Sequence, residues 1–573
     1  MKRRKIAQNV GPQDVLDAAG WEQNTALVAS RDYAAGAPAM SVPEWLGEAP
    51  EYDEAHIDET IETDVVVCGA GIAGIAAVRA ACENGAKVVL FEKCSRPQAR
   101  SGQFALVGGK LYERWGGDTS RERRDDIVAH IMRDTDYRAN QRRVRYWADN
   151  SGKDVDWYME PCDIYICDRS YDKPPEGVKH YAAPVHHAGW MGRAGLKETE
   201  QDISRRFGEV KPYDPKNELF PAYPFTVDFR PGHQYLLTRS LEVASETGRL
   251  TQYYDTPVKK ILRDDTGRVS GVIAESFDGK VIRAYAKNGI VLATGGYSSN
   301  LDMLYHYCPW TRNCGTVYTG KDKSGKRPNT GDGHKMAMWI GATMDDFPHC
   351  PVCHPYSPIF GIGGFLQLNL DGRRFMNEDL PGHLLFHQIL AQPGHYAWQF
   401  FDATWKEQMQ HFNSYYDILT YPEQVGANVF AAAEKAGRLF CADTIEELLV
   451  KIDEMPVDTA KASIERYNAL AQAGYDEDFG KDASRMMPLE EGPFYAYLMW
   501  PGEVLGTASG LTSDENCQTF DVDGRAIPGL YVAGNLQGSC FSGSYPLTVP
   551  GVNHGFGLTF GRRAGINAAI KYN

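Results

Sequence analysis

The sequence contains no apolar run that approaches the roughly 18 residues a membrane-spanning helix needs. Residues 1–5 are basic and resemble the start of an export signal, but residues 6–14 do not supply the apolar core that such a signal requires. We therefore expect an unexported, cytoplasmic protein with no membrane span. A trimmed or decayed signal is the alternative.

The chain also lacks an excess of positive charge. It has 60 Lys and Arg against 75 Asp and Glu in 573 residues, a formal net charge of -15, which argues against a broad nucleic-acid-binding face. Its 12 cysteines are scattered and do not form a disulfide framework, which favours a reducing compartment. No internal repeat or low-complexity tract is present. The composition is that of a globular protein, and the length predicts two to four domains.

The first strong feature that is present is a strand-turn-helix-strand pattern. Residues 64–68 form a short apolar run typical of a buried strand, and the glycine-rich turn 69–74 follows at once. An Ala-rich helix then extends to about residue 84, and residues 87–91 predict a second strand. Residues 1–60 have no clear periodicity, and we interpret them as an arm or linker.

The turn carries a dinucleotide-binding fingerprint in the expected context. Gly69 permits the tight turn, Gly71 lets the backbone approach a pyrophosphate, and Gly74 lets the helix pack closely on the strand. The helix N-terminus favours an anion there. Glu92 follows Gly74 by 18 residues, close to the roughly 20 expected for a carboxylate that binds a ribose diol. An ordinary turn without a ligand is the alternative.

Two later segments, 288–297 and 528–535, also predict strands that run into glycine turns, and a glycine-rich helix opens at residues 551–553. In this order the motifs resemble those of the fumarate reductase and 3-ketosteroid dehydrogenase superfamily of FAD proteins. The resemblance covers residues 62–570. It is carried by residues 64–93, 100–109, 254–258, 264–269, 293–296, 330–334, 371–378 and the C-terminal helix.

This resemblance implies an α/β fold with a Rossmann-like FAD-binding domain interrupted by a smaller α+β capping domain. We expect the FAD-binding domain at 61–344 and 491–573 and the capping domain at 345–490. The active site would lie between these two domains.

The resemblance also implies a set of FAD-binding residues. Ser101 and Gly102 would lie near the isoalloxazine, and the backbone of Val258 would contact adenine. Gly551 and Val552 would present amides to the flavin pyrimidine edge, which becomes anionic on reduction. No histidine lies in the 100–109 loop, so we expect noncovalent FAD. The full set is Gly69, Gly71, Ala73, Gly74, Glu92, Lys93, Ser101, Gly102, Gly108, Val258, Ala293, Thr294, Gly295, Gly534, Asn535, Gly551 and Val552.

Hydride transfer to a conjugated C=C bond needs a group that polarises the carbonyl and an acid that protonates the neighbouring carbon. The resemblance to fumarate reductases fails at the acid, because the arginine expected four residues after Glu378 is replaced by Gly382. Most of the positive charge that would bind a dicarboxylate is also missing, and His354 alone matches that clamp.

The ketosteroid dehydrogenase motifs match the C-terminal part better, at 506–511 and at 543–551, where this chain has two extra residues. By resemblance, the Tyr545 hydroxyl and the Gly551 amide would bind a substrate ketone. A packed loop aromatic is the alternative for Tyr545.

The usual catalytic tyrosine of that branch also falls at Gly382, so the proton donor is not given by resemblance. We expect His383 to replace it, since histidine titrates near neutrality. A histidine that merely lies on the surface or within the cap is the alternative, and the other candidates for the donor are His387, Tyr415 and Tyr416.

Residues 349–354 contain a Cys-x-x-Cys-His sequence that matches c-type haem attachment and part of a zinc site. Only one copy is present, and no second Cys/His pair lies nearby. We expect no metal and interpret the segment as lining the active site, with His354 in it. Plain core is the alternative.

The sequence therefore predicts an FAD-dependent oxidoreductase that transfers hydride between flavin N5 and a C–C or C=C bond conjugated to a carbonyl, with a 3-oxo steroid as the favoured substrate. The alternatives are a reductase of an α,β-unsaturated acid and a flavin electron-transfer subunit. We expect a small apolar carbonyl substrate, no nucleic-acid partner and an electron partner that the sequence does not identify, because a second nucleotide fingerprint is absent.

Overall fold

The structure is a computed structural model that describes residues 43–168, 174–185, 226–316, 320–346, 348–354, 364–378, 387–408, 430–499, 503–541, 543–546, 549 and 551–570. The chain divides into two compact units, 1–48 and 49–573. In the first unit the described part contains a short 3-10 turn, Glu44–Leu46.

The described strands are β1 Glu59–Cys68, β2 Val88–Phe91, β3 Gln103–Ala105, β4 Tyr165–Ile166, β5 Tyr181–Val185, β6 Thr226–Arg230, β7 Leu250–Tyr253, β8 Val258–Arg263, β9 Val269–Glu275, β10 Val281–Leu292, β11 Gly315–Thr316, β12 Pro351–His354, β13 Leu366–Leu368, β14 Ala397–Phe401, β15 Leu439–Ala442, β16 Phe494–Met499, β17 Glu503–Thr507, β18 Gln518–Phe520 and β19 Ala526–Val532.

The described α-helices are α1 Ile72–Glu83, α2 Gly109–Arg114, α3 Arg121–Asp134, α4 Gln141–Met159, α5 Gln234–Glu246, α6 Leu301–Tyr307, α7 Asp332–Trp339, α8 Trp405–Gln408, α9 Ile445–Ile452, α10 Val457–Ala473 and α11 Val552–Ala569. Within these described ranges, no helix is long and apolar enough to span a membrane.

The main sheet has the order β18-β19-β10-β1-β2-β7, with β8 and β9 attached beside β10. Strand β1 runs parallel to both β10 and β2, and β19 runs parallel to β10. Residues 65–67 of β1 are fully buried, as expected for a central parallel strand covered on both faces. The predicted α/β class is confirmed by this parallel sheet and its helices.

Strand β1 begins at Glu59, earlier than the pattern at residue 64 predicts. Residues 59–63 pair with residues 282–286 of β10, so the last residues of the segment 1–60, interpreted as an arm or linker, lie in the sheet. The apolar pattern missed these residues because their side chains alternate between more and less exposed positions.

Helices α1 and α11 pack against each other beside the main sheet. A β-carbon on Gly561 would lie 2.3 Å from the carbonyl oxygen of Ala73, so the two helix backbones are in direct contact there. Gly565 contacts Ala77 just as Gly561 contacts Ala73, so the two helices run parallel and the first turns of α11 extend past the start of α1. This close packing also explains why the C-terminal helix is rich in glycine.

The described part of the second unit also contains three smaller sheets, β3-β6-β5-β4, β11-β17-β12 and β13-β14-β16-β15. The last of these packs with α9 and α10 around its own apolar cluster, which includes Leu366, Leu448 and Tyr467. Most of this sheet lies within residues 345–490, the predicted cap, but β16 lies beyond residue 490. The division into two domains stays a prediction.

Candidate active site

A pocket lies where β1, β2 and β10 end, which is the edge of a parallel sheet where ligands bind. Its lining comes from six separate parts of the chain, at 68–71, 91–94, 98, 257–258, 293–295 and 328–332. The predicted FAD-binding residues that line it are Gly69, Gly71, Glu92, Lys93, Val258, Ala293, Thr294 and Gly295.

The glycine turn forms one wall of this pocket. Gly69 has φ +103°, and a β-carbon on Gly74 would lie only 1.9 Å from the Gly69 carbonyl oxygen. At Gly71 the nearest atom to an added β-carbon is 3.7 Å away, so space remains outside the backbone at this position. Gly71 is also the residue before α1, and the first N–H groups of a helix have no partner within the helix.

Glu92 fixes the shape of the turn. Its two carboxylate oxygens accept hydrogen bonds from the backbone N–H groups of Ala70, at 2.5 Å, and Cys94, at 2.7 Å. Burial raises the pKa of Glu92, and these two amides act in the opposite direction. The carboxylate therefore links the end of β2 to the glycine turn, and its remaining lone pairs can accept from a ligand.

Sequence reasoning missed an ion pair in this pocket. The Nζ atom of Lys93 lies 2.8 Å from Oδ2 of Asp332 and 2.8 Å from Oγ1 of Thr330. Thr330 and Asp332 belong to a motif that the sequence identified, but nothing in its spacing shows that it meets the end of β2. The pair joins the two sides of the pocket.

The residues present fit FAD. Thr294 lines the pocket, and its buried hydroxyl has no hydrogen-bond partner among the described residues. A buried hydroxyl without a partner is unfavourable unless a ligand or water satisfies it. Together with the open backbone at Gly71 and the Glu92 carboxylate, it provides the polar groups that a dinucleotide needs.

A second part of the site forms between β3 and the start of α11. The N–H of Ala105 donates to the carbonyl oxygen of Gly551 at 3.1 Å. Gly551 has φ +77° and is followed at once by the helix. The loop that carries Ser101 and Gly102 is thereby held against the helix start that carries Gly551 and Val552.

Tyr545 lies at the same helix start. Its side chain is buried, and its hydroxyl accepts a hydrogen bond from the backbone N–H of Asn553 at 3.2 Å. The Asn553 side-chain amide in turn donates to Asn535 at 2.9 Å. The structure thus brings together Tyr545, Asn535 and Gly551, which the sequence placed in separate motifs.

Titratable groups that sequence reasoning missed also surround the Ser101–Ala105 segment. A β-carbon on Gly102 would lie 2.6 Å from Oδ1 of Asp228, so this carboxyl group packs on the loop. Burial raises the pKa of Asp228, and the nearby Arg230 guanidinium opposes that shift. Two histidines, His233 and His554, lie on another side of the loop, with ring centroids 5.0 Å apart.

Ala73, Gly108 and Gly534, which are also predicted to bind FAD, pack closely against neighbouring parts of the chain. Ala73 lies beneath α11, and a β-carbon on Gly534 would lie 3.0 Å from the Ala73 side chain. The carbonyl oxygen of Gly108 would lie 1.9 Å from a β-carbon on Gly152 of α4. Their predicted roles toward FAD stay predictions.

The proton donor is not located by the described residues. His383, Tyr415 and Tyr416 lie outside them, as does Gly382. The backbone of His354 pairs with Glu503 in the β12–β17 ladder, but its side chain is also outside the described part. His387 packs against Trp310, with ring centroids 5.3 Å apart, and burial lowers its pKa.

The start of the 349–354 segment is built into the core. His349 Nδ1 lies 2.6 Å from the Tyr297 hydroxyl, and its Nε2 lies 2.8 Å from the Asp345 carbonyl oxygen. Burial lowers the pKa of His349 to about 4. Cys350 is buried, and its N–H donates to Ser509. Across the described ranges, no three His, Cys, Asp or Glu residues are grouped as a metal site.

A buried ionic network lies beside the β13–β16 sheet. Arg374 makes paired hydrogen bonds of 2.8–2.9 Å to both Glu378 and Asp476. Lys481 Nζ lies 3.4 Å from Glu378, and all four side chains are at most 6% exposed. Two cations and two anions balance each other in this network.

Known proteins match this chain over most of its length. The FAD binding domain family matches residues 64–551. A digoxin reductase from Eggerthella lenta is 28% identical, over 99% of this chain and 98% of that protein. A vinyl phenol reductase from Lactiplantibacillus plantarum is 26% identical, over 88% of this chain and 96% of that protein. The structure of 3-ketosteroid-Δ4-(5α)-dehydrogenase from Rhodococcus jostii has the same fold, with a TM-score of 0.63 and 24% identity over 91% of this chain and 99% of that one.

Proposed function

Since the chain belongs to the FAD binding domain family, we propose that it transfers hydride between FAD and a carbon–carbon bond conjugated to a ketone. The family expected from the motifs is confirmed, and the protein is an FAD-dependent oxidoreductase that acts on C=C or CH–CH bonds.

The observation that carries the proposal is the hydrogen bond from the backbone N–H of Asn553 to the Tyr545 hydroxyl at the start of α11. A phenol oxygen that accepts from an amide becomes a better donor, because hydrogen bonds in a chain polarise one another. The helix N-terminus also favours negative charge close by. Tyr545 is therefore suited to donate to a carbonyl oxygen that becomes negative during the reaction.

The groups assigned to substrate and cofactor converge on the same helix start. Gly551 precedes α11, and the Tyr545 hydroxyl accepts from the backbone N–H of Asn553, which lies in the first turn of that helix. When bound, FAD supplies the group that gives or takes hydride. The chain's own part is to orient the ketone through Tyr545 and the Gly551 amide, and to place a proton donor near the neighbouring carbon. His383 stays the candidate for that donor.

We favour an apolar enone, such as a 3-oxo steroid, over an unsaturated acid. A buried carboxylate substrate needs cationic partners. Arg374 and Lys481, two cations with almost no exposure in the predicted cap, are already paired with Glu378 and Asp476. Relatives named for digoxin and for 3-oxosteroids add support for a large apolar substrate.

An anaerobic reoxidation assay tests the proposal. The purified holoenzyme is reduced, and a Δ4-3-oxo steroid, digoxin, 4-vinylphenol, an enoate panel and fumarate are then added separately. We expect the oxidised flavin absorbance to return rapidly with the steroid and not with fumarate. The reverse assay adds a saturated 3-oxo steroid and a dye to the oxidised enzyme.

Each outcome has a distinct meaning. Reoxidation by enoates alone would replace the enone proposal with the acid-reductase alternative. Reoxidation by 4-vinylphenol alone would show that no carbonyl is required and would remove the role given to Tyr545. Failure of every compound in both directions would favour an electron-transfer subunit.

A further inference from the structure

His554 connects the first turn of α11 to the loop segment at β3. Its Nδ1 atom lies 2.7 Å from the backbone carbonyl oxygen of Gln103. A carbonyl can only accept a hydrogen bond, so Nδ1 carries the hydrogen. In the neutral ring this leaves Nε2 without a proton, as an acceptor. The hydrogen bond therefore assigns both the orientation of the ring and its tautomer.

A backbone hydrogen bond lies beside this side-chain bond. The Ala105 N–H donates to Gly551 at 3.1 Å, and a β-carbon on Gly551 would lie 2.9 Å from the Ala105 nitrogen. Strand β3 is thus fixed to the start of α11 at two points, through Gln103 and Ala105. One of the two depends on a side chain, and it can be removed without changing the backbone.

The surroundings of His554 keep its ring neutral. Burial lowers the pKa of His554, the hydrogen bond to the Gln103 carbonyl opposes that shift, and the charge of Arg100 adds to it. The neighbouring His233 is also buried, and burial holds its pKa well below the ordinary value. Its ring stands edge-on to Phe104, at 4.4 Å between centroids. A positive charge on either histidine would be unfavourable here. His554 therefore keeps its neutral Nδ1–H form at neutral pH.

We propose that His554 is a positioning residue for FAD, which sets the spacing between the loop carrying Ser101 and Gly102 and the helix start carrying Gly551 and Val552. This proposal rests on the proposed function, because it takes both segments to contact the flavin. The Nδ1 hydrogen bond does the positioning. The sequence motifs assigned no role to residue 554.

Two substitutions separate the ring nitrogens. In His554→Asn the side-chain amide occupies the place of Nδ1–H and can still donate to Gln103. In His554→Gln the amide occupies the place of Nε2 instead, and His554→Leu has no donor. A lost hydrogen bond leaves the Gln103 carbonyl without this partner in a partly buried setting. We expect holoenzyme with Leu or Gln to release FAD roughly tenfold faster, which corresponds to about 1.4 kcal/mol, and the Asn variant to stay close to wild type.

The measurement is the rate at which FAD fluorescence appears when each holoenzyme is diluted, together with the circular dichroism of the flavin band. His395→Leu is the matched control, because His395 Nδ1 also lies 2.6 Å from a carbonyl, that of Leu390, at an exposed position elsewhere. It should leave both signals unchanged. Nitrogen-15 NMR of labelled histidine in the wild-type holoenzyme should show a neutral Nδ1–H tautomer that disappears in His554→Asn.

Unchanged FAD release in the Leu variant would overturn the proposal, as would rescue by Gln and not by Asn. An Nε2–H tautomer for His554 would also overturn it, and this test requires no folded Leu variant. If wild-type protein bound no FAD, the proposed function itself would fail, which is a different result.

Discussion

Gly74 lies so close to Gly69 that a β-carbon on Gly74 would come within 1.9 Å of the Gly69 carbonyl oxygen. Gly71, between them, has no such contact. We therefore expect Gly74→Ala to destabilise the protein even without cofactor, because helix α1 must shift. Gly71→Ala should leave the thermal stability of the FAD-free protein unchanged and weaken FAD binding by at least tenfold, because its methyl group projects into the ligand space. Calorimetry of each variant with and without FAD measures its thermal stability and its FAD affinity.

Equal stability of the two FAD-free variants would contradict the packing argument for Gly74. Normal FAD affinity in Gly71→Ala would show that the pyrophosphate does not approach this residue.

Tyr545→Phe tests the carbonyl-binding role. We expect turnover with the best enone to fall by roughly 100-fold or more, because a donor to the developing negative charge is lost. FAD content should be unchanged. His354→Ala should likewise leave FAD bound. Stopped-flow reoxidation measures the rate, and a Tyr545→Phe enzyme with full activity would remove Tyr545 from the site.

His334 makes stability depend on pH. Burial is the main cause that lowers its pKa from 6.5 to about 3, and nearby His349 acts in the same direction. Between these pH values the unfolded chain binds a proton that the folded protein does not, so the free energy of unfolding falls as pH falls. His334→Gln should make this decline shallower by up to about 1.4 kcal/mol per pH unit between pH 6 and 4.

Urea unfolding of the holoenzyme at several pH values measures this slope. Met336→Leu, in the same helix α7, is the control and should change stability without changing the slope. Identical slopes for wild type and His334→Gln would show that His334 is not buried in its neutral form.

Arg374 and Arg466 each pair with two carboxylates, but only Arg374 is buried. Arg374→Met leaves Glu378 and Asp476 without their guanidinium partner, and we expect a loss of about 3–5 kcal/mol in unfolding free energy. Arg466 is 47% exposed, so solvent screens its ion pairs and Arg466→Met should change the unfolding free energy far less. Chemical denaturation compares the two, and equal losses would contradict the assigned burial.

The residues that sequence analysis located best are local in the chain. The turn at 69–74 and Glu92 belong to one strand-helix-strand unit, where spacing alone determines which groups meet. The contact of Lys93 with Asp332 and that of Gln103 with His554 join residues far apart in sequence. No spacing rule predicts these contacts, since they depend on how α7 and α11 pack.

The same limit applies to the catalytic groups. Motif resemblance brought Tyr545 and Gly551 into one hypothesis, but it did not show that the tyrosine accepts from the Asn553 amide. Gly382 stands where the family has its proton donor, and the choice of the adjacent His383 rests on residue type alone. Residue types alone do not show where these catalytic side chains lie relative to one another.

The order of strands in the main sheet has a consequence for synthesis of the protein. Val65 pairs with Gly289, and Ile290 pairs with Leu530. Each of these central strands therefore pairs with a strand that is synthesised much later. Pairing between such distant segments is slow. The pocket proposed for FAD also needs residues up to 332, and the helix start proposed to contact the flavin comes only at 552. A growing chain therefore has no complete site of this kind until residues up to 552 have left the ribosome.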